Sequence, residues 1–117
     1  MTVETQIYTA LKSLVTGGHV YAINLPDTVT ARTYITYQQV GGSAINFLNS
    51  AKPSKKNARF QINVWAPTPQ AAAVLSRLTE DAMRTIDAFV EGAPVSTDEP
   101  DINLYGTRQD FSIWFDD

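Results

Sequence analysis

Residues 60–66 alternate strictly, and the residues after them fix how that alternation has to be used. Phe60, Ile62, Val64 and Ala66 fall on one side of an extended segment, and Gln61, Asn63 and Trp65 on the other. Pro67 ends the segment, because proline has no N–H to give to a ladder. Thr68 then offers a capping hydroxyl, and Pro69 takes the first helical position, where a missing N–H costs nothing. Leu75, Leu78, Ala82, Ile86, Phe89 and Val90 form an apolar stripe. Ser76, Arg77, Glu80, Asp81, Arg84 and Asp87 lie opposite. The pattern predicts a helix from about Pro69 to Glu91, closed by Gly92. A strand with one apolar side, joined directly to a one-sided helix, has few solutions. The helix covers the apolar face of a sheet, and the other face stays partly wet.

The remaining segments agree with that arrangement. Val3, Ile7, Ala10, Leu11, Leu14 and Val15 recur at helical spacing behind Thr2, a capping residue, and Gly17-Gly18 stop the run. This predicts a first helix over roughly Val3–Thr16. His19–Ala22 reads as a short strand, and Asn24–Thr30 as turn-like around Pro26-Asp27. Tyr34–Val40 is β-branched and aromatic and reads as a strand. Gly41-Gly42 permits a turn or bulge, and Ile45 and Phe47 alternate beyond it. Asn49–Asn57 reads as an exposed loop or hairpin tip. Ala93–Ser96 is another short strand, and Asp98-Glu99-Pro100-Asp101 a turn. Thr107–Phe115 is the last strand, with Phe111, Ile113 and Phe115 facing one way and Ser112 and Trp114 the other. The expected class is α+β: a two-layer sandwich, with a mainly antiparallel sheet of four to five strands and two helices packed on one face. At 117 residues the chain fits one domain over 1–117, with no internal repeat.

The charges are sorted along the chain. Residues 1–27 carry −1, residues 28–79 carry +6 with no acid among them, and residues 80–117 carry −8, for a net charge of −3. Two readings stay open. The basic face of one copy docks on the acidic face of the next, or the two halves neutralise each other within one subunit.

Catalytic signals are weak. The chain has no cysteine, so disulfides, thiolate catalysis and cysteine-bound metals are excluded. No signal peptide is visible, and no apolar run approaches a membrane span. His19 is the lone histidine and lacks a partner motif, so it reads as a strand-edge or surface residue. The acidic turn 98–101 does not match a calcium loop and reads as solvated. Gly41-Gly42-Ser43 lacks the lysine and helix of a phosphate loop. Lys52-Pro53-Ser54-Lys55-Lys56 reads either as a phosphate contact or as a soluble loop, and the negative net charge favours the loop. Trp65 and Trp114 fall on the non-core sides of their strands, with Tyr34 or Tyr37 as a neighbour. Either a partner or the chain itself covers them.

Three segments together resemble a known family. They are Ile7–Tyr21, with its Gly-Gly-His-Val-Tyr exit; Arg59–Ala66 followed at once by the helix Thr68–Val90; and Leu104–Phe115. The chain is similar here to the small tail completion, or tail terminator, proteins of long-tailed bacteriophages and prophages. The similarity covers nearly the whole chain in order, and its motifs are mostly structural. Relatives often carry a proline before the second strand, where this chain has Arg32-Thr33-Tyr34. The resemblance implies an α+β fold and a ring, usually hexameric, on top of the tail tube. Such a ring stops tube polymerisation and presents a surface to the head–tail connector.

The implied partners are other copies of the chain, the tail tube protein and the connector, with DNA touched only in passage through the channel and no membrane. The implied location is the virion tail, and the host bacterial cytoplasm during assembly. No enzyme activity, cofactor, metal or catalytic residue is implied. For subunit or tube contact the candidates are Lys52, Lys55, Lys56, Arg59, Trp65, Trp114 and Asp116. The segment Lys52–Arg59 is expected to meet an acidic segment of the neighbour drawn from Glu80–Asp117. A small-ligand-binding or enzymatic α+β domain, with a cleft between sheet and helices, is the alternative. A regulatory adaptor using the tryptophan face is a third reading.

Overall fold

A computed structural model of the chain describes residues 2–44 and 54–116. The expected alternation at Ile45 and Phe47 and the residue Lys52 lie outside them. Helix α1 (Val3–Leu11) starts where expected, with the Thr2 hydroxyl accepting from the Thr5 N–H at 3.1 Å. It buries Val3, Ile7 and Leu11, one residue per turn. It does not continue to Thr16. Two 3-10 turns follow, Lys12–Leu14 and Thr16–Gly18, and Val15 between them is extended and buried. Gly17, at φ 78°, supplies the reversal.

Strand β1 (Val20–Ala22) pairs in parallel with β2 (Tyr34–Gly41). Strand β2 pairs antiparallel with β3 (Lys55–Ala66), with a bulge between Gln39 and Gly41. Helix α2 (Pro69–Arg84), β4 (Phe89–Val90), β5 (Val95–Glu99) and β6 (Leu104–Asp116) complete the order. The sheet runs β1-β2-β3-β6-β4, with β5 also on β6. The expected α+β class with a mostly antiparallel sheet and two helices is what the chain adopts. The sixth strand is β4, whose residues Phe89 and Val90 fall by periodicity inside the expected second helix.

Helix α2 begins as its sequence dictates, with the Thr68 hydroxyl accepting from Ala71 N–H at 3.1 Å. Its buried face is Ala72, Leu75, Ser76, Thr79 and Met83. Leu78, on the apolar stripe of the sequence, is 43% exposed. Small residues at 72, 76 and 79 let the helix sit close to the sheet, and that rotates Leu78 outward. The helix ends seven residues before Glu91. Ala88 N–H donates to Met83 O at 3.2 Å and Asp87 N–H to Arg84 O at 3.1 Å, the paired bonds of a Schellman closure. Asp87 takes the left-handed position at φ 60° that glycine usually fills.

The core lies between the helices and one face of the sheet. Ile7, Leu11, Ile35, Phe60, Ile62 and Phe111 are fully buried in one cluster, together with Met83 and Val64. Each such side chain stabilises the fold by roughly 1.5–3 kcal/mol relative to exposure. The strands are longer than their cover. A 12-residue β3 extends about 40 Å, whereas a 16-residue α2 spans about 24 Å. One end of the sheet therefore projects beyond the helices.

The Schellman geometry yields a test. Asp87→Gly should raise unfolding free energy by about 0.5–1 kcal/mol. It removes a left-handed β-carbon and a negative charge at a helix C-terminus, less the entropy gained by the unfolded chain. Urea denaturation of both proteins measures this, and an unchanged or lower midpoint contradicts it.

Candidate functional site

The face of the sheet away from the helices carries most of the residues singled out above. The β3–β6 register pairs Lys55 with Asp116, Asn57 with Trp114, Arg59 with Ser112, Gln61 with Asp110 and Trp65 with Gly106. All of these point away from the core, because Phe60, Ile62 and Val64 occupy the alternate positions. Lys55 Nζ lies 2.8 Å from Asp116 Oδ1. Arg59 Nε reaches diagonally to Asp110 Oδ2 at 3.0 Å. Between them, the Asn57 amide donates to Ser112 Oγ at 2.7 Å and accepts from Ser43 N–H at 2.8 Å. Two cations of the basic segment are thus matched by two acids of the same subunit. Both pairs are largely exposed, so each contributes within about 1 kcal/mol. Lys56, across from Phe115, falls on the helical side.

The two tryptophans share this face but not a patch. Asn57 and Trp65 are eight positions apart, so Trp114 and Trp65 lie about 26 Å from each other along the ladder. Trp65 stacks on Tyr34 with ring centroids 6.4 Å apart. Its ring rests on Gly106, where an added β-carbon would strike the Val64 carbonyl and the indole itself. Tyr34 is only 8% exposed. Burial, and then the Glu99 carboxylate, hold its phenol above the usual tyrosine range. Tyr37, paired with Ile62, faces the helices instead. Trp114 is 42% exposed, near the projecting end of the sheet, where it shares an exposed corner with Lys55 and Asp116.

Two anchors had no local signal in the sequence. The Arg32 guanidinium donates to the carbonyls of Ile102 and Asn103, each at 3.0 Å, and ties the segment before β2 to the turn before β6. The partners are 70 and 71 residues away. The Gln109 amide, buried on the core face, donates to Glu80 Oε1 at 3.0 Å and to the Gly92 carbonyl at 2.8 Å. It fastens α2 and the β4–β5 connection to β6.

Converging chemistry is sparse. Among the described residues no group of three or more histidines, cysteines or carboxylates is placed to hold a metal ion. No described helix is long and apolar enough to cross a membrane. His19 Nδ1 is 2.7 Å from the Tyr21 hydroxyl. Asp98 and Glu99 are exposed on β5, and Asp101 lies in the following 3-10 turn. A cleft of about 510 Å³ opens where α1 stops short of the sheet's end, lined by Val3, Glu4, Gln39, Phe60 and Phe115 among others. Its walls are mixed and include Thr2, Glu4 and Asp116, and the Thr2 hydroxyl serves as the α1 cap by accepting from Thr5 N–H.

Residues 5–116 match the model of a family described as Tail completion protein gp17. No curated protein matches the chain. A solved structure aligns over 97% of this chain and 95% of its own, at 12% identity and a TM-score of 0.48, a likeness too low to carry any argument.

The contact between Trp65 and Gly106 predicts that Gly106→Ala costs about 1–3 kcal/mol through overpacking of strand against indole. The tryptophan emission of the folded state should shift in the same variant. A melting temperature and spectrum identical to the parent would show that the two groups do not touch.

Proposed function

We propose, from the premise that the chain belongs to the Tail completion protein gp17 family, that it caps the tail tube as a ring of identical subunits. Membership makes it a structural component of a phage virion tail. In our reading the ring assembles in the host cytoplasm, ends tube polymerisation and offers the surface on which the head–tail connector docks. The observation that carries this is the family match over residues 5–116. The geometry supports it in a second way. Asn57 and Arg59 are engaged across strands by Ser112 and Asp110, and Gln109 by Glu80 and the Gly92 carbonyl, so these polar side chains are committed within the subunit. A protein built like this works through its outer shape.

Within that reading we assign the axial contact, to tube or connector, to the projecting end of the sheet. Lys55, Lys56, Trp114 and Asp116 meet there, and Lys52 is close in sequence. Arg59 and Trp65 belong to the face itself and are engaged by Asp110 and by Tyr34. An acidic neighbour seeking Lys55 or Arg59 has to compete with Asp116 or Asp110.

The test is polymerisation of purified tail tube protein with and without this chain, followed by electron microscopy. The wild type should bind tube ends and stop their growth. Trp114→Ala should keep its melting temperature and weaken end binding at least tenfold. Tubes that grow without limit beside excess folded protein would contradict the proposal. A melting shift with a small ligand would then favour a binding domain.

A further inference from the structure

The sheet ends on both sides in strands with an open edge, β1 on one margin and β5 on the other. The bonds inside the sheet show which backbone groups are left over. His19 O accepts from Ile35 N–H, and Ile23 N–H donates to Tyr37 O, so His19, Tyr21 and Ile23 turn toward β2. Val20 and Ala22 therefore point their N–H and C=O groups outward. On the other margin, Glu91 N–H donates to Asp110 O, which places the even-numbered β6 residues toward β4 and β5. Arg108 pairs with Val95 and Gly106 with Thr97, so Ser96 and Asp98 turn outward. Of these outward groups only the Ala22 carbonyl has a hydrogen-bond partner among the described residues, the Asn24 N–H.

Each margin also exposes an apolar side chain, Ile23 at 58% and Val95 at 50%. Ile23 is held at φ 68°, a strained conformation for a β-branched residue. The charges of the two margins differ. No lysine or arginine occurs between Thr85 and Thr107, and Asp87, Glu91, Asp98, Glu99 and Asp101 are all exposed. Two β5 margins brought together would therefore repel. The β1 margin carries no such charge, because no Asp, Glu, Lys or Arg lies between Lys12 and Asp27.

We infer that the β5 edge of one copy is occupied by the β1 strand of a second copy, so that the sheet runs on from subunit to subunit. Within one sheet β1 and β5 run in opposite directions. Copies set side by side with their helices on the same face therefore meet antiparallel. One register uses all four outward positions: Val20 opposite Asp98 and Ala22 opposite Ser96, with Tyr21 opposite Thr97. The flanking residues play no part in choosing that register, and they agree with it. Ile23 falls opposite Val95, so the two exposed apolar side chains cover each other. His19, the chain's one histidine, falls opposite the Glu99 carboxylate.

A β1–β1 contact would close a dimer and leave the acidic edges open. The β1–β5 contact joins two different patches, so it is heterologous and repeats until rotation closes a ring. The inference rests on the ring reading above and names the lateral contact that the ring needs. A sheet continued sideways keeps its strands along the ring axis. The projecting end with Lys55 and Asp116 then stays free for the axial contact.

The chain has no cysteine, so disulfide trapping on purified tail tubes tests the contact without background. Tyr21→Cys/Thr97→Cys puts one thiol on each edge, at a non-hydrogen-bonded pair whose Cα atoms approach to about 4.5 Å, within disulfide reach. In one copy the two positions lie about 19 Å apart, across four strand spacings, so only neighbours can be joined. Oxidation should give a ladder of cross-linked multimers about tenfold above either single variant. Ser96→Pro removes an outward N–H and leaves the β5–β6 bonds in place. It should keep the parent's melting temperature and lose rings at tube ends about tenfold in electron micrographs. Rings of the double variant that yield no ladder, or Ser96→Pro rings as abundant as the wild type's, would overturn the contact and leave the ring reading standing. Cross-linked dimers from a single variant in place of the ladder would mean that like edges meet, and would overturn it too. If the wild type itself forms no ring on tubes, the ring reading falls and the contact with it.

Discussion

All twelve residues of β3, from Lys55 to Ala66, lie in antiparallel register with β6, and the other elements are placed by that ladder. Its two faces do different work. On one, Phe60, Ile62, Phe111 and Ile113 form the sheet's share of the core. On the other, Lys55 meets Asp116, Asn57 meets Ser112 and Arg59 meets Asp110. A slip of one residue would carry every one of these side chains to the wrong face. Gly106 enforces the register from one end, since only there can the Trp65 ring lie on its partner strand. The charged pairs mark the other end.

The ladder also explains what could and could not be read from the chain alone. Strand β3 was legible because its alternation is local, and the start of α2 because Thr68 and Pro69 act on their immediate neighbours. The end of α2 was not. Helical spacing runs on through Ile86, and the residue that turns the chain is Asp87, which carries no glycine-like signature. The stripe also points Leu78 inward, whereas close packing of Ser76 and Thr79 on the sheet outweighs one leucine and turns it outward. Thr79 keeps a buried hydroxyl with no partner, the cost of that approach.

The charge segregation was plain in the sequence, but its meaning was not. Whether Lys55 and Arg59 are matched by their own subunit depends on a register between segments some 50 to 60 positions apart. The Arg32 tie to Ile102 and Asn103 is longer still. What remains after internal pairing is a smaller and different set of charges than the sequence suggests: an acidic margin at β4–β5, with Lys12, Arg77 and Arg108 outside any ion pair among the described residues. An assembly protein needs such a remainder. A spine finished within the subunit gives rigidity, and surfaces left unfinished give it something to bind.

The claim beneath this account is that the β3–β6 ladder is the most stable part of the molecule and that the margins hang from it. Native-state hydrogen exchange with increasing denaturant measures that directly. Amides of Phe60–Val64 and Gln109–Ile113 should exchange only through global unfolding, while those of Val20–Ala22 and Phe89–Val90 exchange through smaller, local openings. Exchange of the central β3 and β6 amides at lower free energy than those of α2 or β1 would contradict it.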